Sequence, residues 1–224
     1  MKFPVRNQDT WYHVGDLSKM EKKNSYEGAG LSISQVPKSW RRIARLAGDT
    51  YKLEKKGAKF LEMVYVSIPV RKTIFSWAIE QGYLTEKAIW VNRYYDDEYE
   101  TVYEMEFASR EELNEEISWD SLDKEEQEAL LHPEKDEDGK FTDGIFEMKR
   151  FSATERLLEL ECWKGTCMSS QAEDFAIIRY ADEVLNLDGV HWDEEHDVMR
   201  LSAPRGVIFQ SQLHKWKHEK VVSL

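Results

Sequence analysis

The sequence predicts an α+β fold: a mostly antiparallel twisted sheet, a few flanking helices and an acidic insertion, in a single domain over residues 1–224. Three observations predict it. Short apolar stretches alternate with polar residues at a period of two, as in LSIS at 31–34. Helical periods occur in a few separate segments, most clearly in PKSWRRIARLAG at 37–48. Strand-like runs follow one another through tight turns, which join antiparallel neighbours.

The elements follow in order. Residues 1–10 read as an irregular lead-in. Trp11–Val14 reads as a short strand, turned out by Gly15 and Asp16, and Lys19–Asn24 as a polar connection. Gly28 and Gly30 turn the chain into Leu31–Ser34, where Leu31 and Ile33 are expected to face the core and Ser32 and Ser34 the other side. Pro37 starts a helix that turns Trp40, Ile43 and Ala44 to one face and stops at Gly48. Tyr51–Lys55 and Ala58–Val66 read as a hairpin around Lys56-Gly57, and Arg71–Gly82 as an amphipathic helix. Ala88–Tyr95 and Glu100–Phe107 are expected to pair, with Val91, Tyr95, Val102 and Met105 available for packing. Ser109 and Ser121 mark the starts of short acidic helices, and the turn-rich HPEKDEDGK follows at 132–140. Ile145–Phe151 and Leu157–Trp163 read as strands and Ala172–Leu185 as a helix. The remainder reads as three strands joined by turns.

Composition narrows the class. With 41% hydrophobic and 12% aromatic residues, the chain is expected to fold rather than stay disordered. The longest apolar run, Phe60–Val66, is interrupted by Glu62 and falls far short of the roughly 20 residues of a membrane helix. The start, MKFPVRNQDTW, has no apolar signal-peptide core, and Cys162 and Cys167 are too few for a disulfide scaffold. A cytoplasmic setting is expected. Of the net charge of −12, residues 93–147 hold 21 acids against 5 bases, leaving 22 acids and 26 bases elsewhere. The acidic total argues against general nucleic-acid binding, whereas the mildly basic flanks suit an anionic ligand.

Few residues suggest chemistry. A lone histidine on a strand is most often structural, but His13 precedes Val14-Gly15, where backbone can approach a ligand closely. No G-x-S-x-G elbow surrounds Ser32 or Ser34, so a serine hydrolase is disfavoured and ligand hydrogen bonding remains open. His191 and His196 in HWDEEH lack the HExxH pattern, and no metal is expected. Cys162 and Cys167 lack zinc or redox spacing and read as free thiols. Neither a P-loop nor GxGxxG occurs.

The two ends of the chain together resemble ADP-ribosyltransferase-like proteins of bacteria and their phages. Tyr12-His13-Val14 is similar to the family's early histidine strand, and Gly30-Leu31-Ser32-Ile33-Ser34 to its second strand. The Pro37–Leu46 helix, Ala172–Val190 ending in Asp188-Gly189-Val190, and the basic stretch Gly206–Lys217 extend the resemblance. It implies NAD⁺ as substrate, with His13 hydrogen-bonding the nicotinamide ribose and Ser32 or Ser34 near the nicotinamide. Tyr12, Trp40 and Trp192 would supply stacking. Asp188, Asp193 or Glu195 would stabilise the oxocarbenium-like state as nicotinamide leaves. The chain departs from the family by lacking a paired E-x-E or Q-x-E and by carrying the acidic insertion. The alternative is a non-enzymatic protein of anti-defence or immunity type. In that reading residues 93–147, with Tyr94, Tyr95, Tyr99 and Tyr103, bind a basic protein partner.

Overall fold

Trp11, Leu31, Ile33, Leu53, Phe60, Ile208 and Trp216 come from distant parts of the sequence and collapse into one buried cluster. The strands that carry them are therefore drawn into one sheet. The structure is a computed structural model that describes residues 2–17, 25, 27–96, 101–133, 143–165, 167–193 and 204–221. The chain divides into two compact units, one of residues 1–85 and 152–224 and one of residues 86–151.

The first unit holds β1 (Val5–Asn7), β2 (Thr10–Val14), β3 (Leu31–Ser34), β4 (Thr50–Glu54), β5 (Lys59–Glu62), β9 (Gly189–Trp192), β10 (Arg205–Ile208) and β11 (Lys217–Val221). Their order in the sheet is β1-β5-β9-β10-β3-β2-β4-β11. The pairings are antiparallel except between β5 and β9, which are far apart in sequence and can be joined in parallel by a long helical connection. That connection includes α2 (Ile68–Glu80) and α6 (Ser169–Glu183). The two helices pack together, with Trp77 edge-on to Tyr180 at 5.1 Å. Ala172, Phe175, Ala176 and Ala181 of α6 are fully buried. The mixed, mostly antiparallel α+β architecture is the one expected.

Several local expectations are corrected. The lead-in contains a strand, and this undoes the hairpin expected at 51–66. β1 takes β5 as its partner and β2 takes β4, so β4 and β5 separate. Lys55 N–H donates to Asp9 O and Gln8 N–H to Ala58 O, both at 3.0 Å, so residues 8–9 lie against the turn, which Ala58 N–H still closes onto Lys55 O at 3.4 Å. Met63–Tyr65 is a 3-10 turn rather than strand. The helix α1 (Pro37–Ile43) stops before Gly48, because Arg45 adopts φ 50° and Leu46 N–H reaches back to Arg41 O at 2.8 Å. Residues 157–163, expected as strand, begin within α5 (Glu155–Leu160). Thr154 caps it, and Leu157 and Glu161, one turn apart, are both fully buried. All four residues of LSIS are buried, so Ser32 and Ser34 do not face solvent.

The second unit is built on β6 (Leu84–Asp96), β7 (Thr101–Phe107) and β8 (Gly144–Ala153), ordered β7-β6-β8. It also holds α3 (Arg110–Glu116), capped by Ser109, and α4 (Lys124–Leu131). The cap of α4 is Asp123, in a capping box with Glu126, and not Ser121, which closes a 3-10 turn. Val91, Leu113 and Ile145 are buried, whereas Tyr95, Val102 and Met105, expected to pack, are exposed. Unit 86–151 carries 22 acids against 8 bases, and the expected acidic insertion 93–147 falls within it.

The first unit is stitched together where the chain leaves and returns. Thr154 donates its N–H to Tyr83 O at 2.9 Å and its hydroxyl to Gly82 O at 2.8 Å, and Arg156 donates to Gln81 O at 2.7 Å. Among the described residues no helix is long and apolar enough to cross a membrane.

Candidate functional site

One pocket of about 450 Å³ opens in the first unit, within the range of small-molecule sites. Leu17, three residues beyond the end of β2, Leu31 at the start of β3 and Leu53 on β4 form one wall. Leu213 and Trp216, at the end of the 3-10 turn Gln210–Lys215, form another. Gln210, His214 and His218 supply the polar groups. Apolar walls with a few convergent donors and acceptors can enclose a planar ring and orient it by its substituents.

His13, on β2, is not among the residues that line the pocket and is buried at 6% exposure. Its Nδ1 is 2.8 Å from Ser32 O, and a carbonyl only accepts, so Nδ1–H donates and couples β2 to β3. Gly15, at φ +136°, lets the backbone lie against the ring, because a Cβ there would stand 3.2 Å from His13 Nε2. Ser34 is fully engaged: its hydroxyl donates to Pro204 O at 2.7 Å and accepts from Val36 N–H at 3.1 Å. Ser32 Oγ is buried with no hydrogen-bond partner among the described residues. Tyr12 is half-buried opposite Ser34, and Trp40 is buried on α1.

Two of the three expected acids have partners of their own. Asp188, at 5% exposure, accepts from Lys59 N–H at 2.9 Å and forms an ion pair with Lys55, which ties β5 to the start of β9. Asp193 is exposed and stands 3.8 Å from Arg6. Glu195 lies outside the described residues, as does His196 of the HWDEEH motif.

A second polar group escaped the sequence reading. Glu62 on β5 is in register with His191 on β9, and Arg6 of β1 reaches Glu62 Oε1 at 2.8 Å. Arg6 Nη1 and Glu62 Oε1 each lie 3.4 Å from His191 Nδ1, which accepts from the first or donates to the second according to its tautomer. Trp11 meets the His191 ring edge-on at 4.9 Å. Burial, reinforced by Arg6, pushes the imidazole down to about 4, and burial raises the Glu62 carboxyl against the pull of Arg6. The signal was present in Glu62, a charge inside an apolar run. Two further acids on the helical side, Glu161 fully buried and Asp174 half-buried, were also missed. Burial raises Asp174 to about 6, and Glu161 is also raised by burial, opposed by its ion pair with Arg179 and by Ala29 N–H at 2.8 Å.

Among the described residues no three His, Cys, Asp or Glu side chains converge as a metal-ligand set. Both cysteines are free thiols. No family model, curated protein or solved structure matches the chain.

Proposed function

We propose that the unit formed by residues 1–85 and 152–224 binds an NAD-type dinucleotide in the 450 Å³ pocket and cleaves its nicotinamide–ribose bond. One observation carries the reading. The two stretches that resemble ADP-ribosyltransferase-like proteins both line this pocket, the first through Leu17 and Leu31 and the second through Gln210, Leu213, His214 and Trp216. Their strands are also neighbours, since β9, β10, β3 and β2 run side by side.

In this reading Trp216 and the leucines enclose a ring of the ligand, and Gln210, His214 and His218 hydrogen-bond its polar groups. His13 positions β3 through the Ser32 carbonyl. Cleavage breaks the C–N bond, with its electron pair going to the ring nitrogen, so nicotinamide leaves neutral. Water or an acceptor oxygen bonds to the ribose carbon and gives up a proton. An acid would stabilise the developing positive charge; of the three expected, Asp188 is paired with Lys55 and Asp193 stands 3.8 Å from Arg6.

The test is thermal unfolding with NAD⁺, run beside nicotinamide release. At a hundredfold excess over Kd, binding contributes about 2.7 kcal/mol, which corresponds to a rise in Tm of roughly 5–10 °C. Leu213→Trp, which fills the pocket, should abolish both signals while melting like wild type. Absence of a shift and of release in the wild-type protein refutes the reading.

A further inference from the structure

We propose that β7, the outer strand of unit 86–151, is a docking edge for an extended Lys- or Arg-rich segment of another protein. β7 pairs with β6 along one side, and among the described residues no strand pairs along its other side. Natural proteins blunt such edges with Lys, Pro, bulges or a covering element. The β7 sequence TVYEMEF has neither Lys nor Pro, and its register with β6 runs unbroken from Trp90↔Phe107 to Asp96↔Thr101. Residues 101–106 are all exposed, so neither face of the strand is covered there. Val102, Tyr103 and Met105 are 49%, 40% and 36% exposed, and Tyr103 stacks on exposed Tyr94 at 5.7 Å.

Charge selects the occupant. Glu104 and Glu106 of β7 are held by Arg93 and Arg150, and the unit around them carries 22 acids against 8 bases. A second copy of the unit would carry the same net acidic charge, and the repulsion between the two opposes pairing. A basic strand instead gains the open main-chain hydrogen bonds of β7, is steered in by the field of the unit, and can lay its cations on the Tyr94–Tyr103 pair.

The test uses the full chain and a fluorescent decapeptide alternating Lys with Val and Tyr. Beside it stand a counterpart with Glu in place of Lys and a version N-methylated along its backbone. The Lys peptide should bind saturably and more weakly as NaCl rises, and the Glu peptide should not bind. Backbone methylation should weaken binding by roughly tenfold or more. Tyr103→Lys, at an exposed position and melting like wild type, should weaken it comparably. Equal binding of the methylated peptide overturns the proposal in favour of charge alone. No binding of the Lys peptide overturns it, as does a concentration-dependent dimer that Tyr103→Lys dissolves.

Discussion

Asp188 separates a structural acid from a catalytic one, and its replacement gives different results in the two cases. The carboxylate accepts from Lys59 N–H at 2.9 Å and pairs with Lys55, whose side chain is 22% exposed. A hydrogen bond to a charged acceptor contributes about 1.5–3 kcal/mol. Breaking a buried ion pair costs about 3–5 kcal/mol when the remaining charge is trapped. Lys55 can swing its ammonium toward water, so the lower part of the combined range applies. Asp188→Ala should therefore destabilise the first unit by about 2–3 kcal/mol, or roughly 5–10 °C in Tm. Asp188→Asn keeps an acceptor for Lys59 N–H and should lose about half as much. Circular dichroism melting of the three proteins, with nicotinamide release measured in parallel, decides the matter. An Asp188→Ala variant that melts within about a degree of wild type refutes the clamp. If turnover vanished in that variant, the acid would act at the reacting bond instead.

Two further outcomes follow from buried groups. The unfolded His191 ring takes up a proton near pH 6.5, whereas the folded ring resists until about 4. Stability should therefore fall as pH drops through that window, by about 2–3 kcal/mol. The raised Glu62 carboxyl works in the opposite direction, since the folded state protonates it more readily, and should flatten the lower end of the loss. Urea titrations between pH 7 and 4 should show this slope in wild type and lose it in His191→Gln; an unchanged slope refutes the assignment to His191. Gly28→Ala places a Cβ 2.1 Å from Glu161 Oε2 at φ +73°, so it should cost at least about 2 kcal/mol through strain and displacement of a buried carboxylate. A melting curve matching wild type would contradict the tight contact.

The fold class was legible because alternation and turn residues act locally. LSIS and the strand after 97–100 emerge at or within a residue of their expected bounds, and the Pro37 helix starts where expected. What failed was partner choice. Nothing near Lys56-Gly57 reveals that residues 5–14 will claim both flanking strands, since that competition is decided across the sheet. At 157–163 a short apolar run fitted either period, and the Thr154 cap with Glu161 buried one turn below Leu157 decided for helix. The strands that carry His13 and LSIS were legible through their glycines. The Arg6–Glu62–His191 group was not, because three strands from different parts of the chain must first be aligned before its charges meet.

The order of segments along the chain has a consequence for synthesis. β3, β4 and β5 each need a partner from the last third of the chain, in β10, β11 and β9 respectively. Among the described residues the strands of unit 86–151 pair only with one another, so its sheet does not wait for those later strands. Once folded, it holds its entry and exit strands in one small sheet, and a long excursion becomes equivalent to a short turn in loop-closure entropy. Gly82 and Tyr83 at one end of that excursion meet Thr154 at the other, at 2.8 and 2.9 Å, so the sheet that carries the pocket is closed across it.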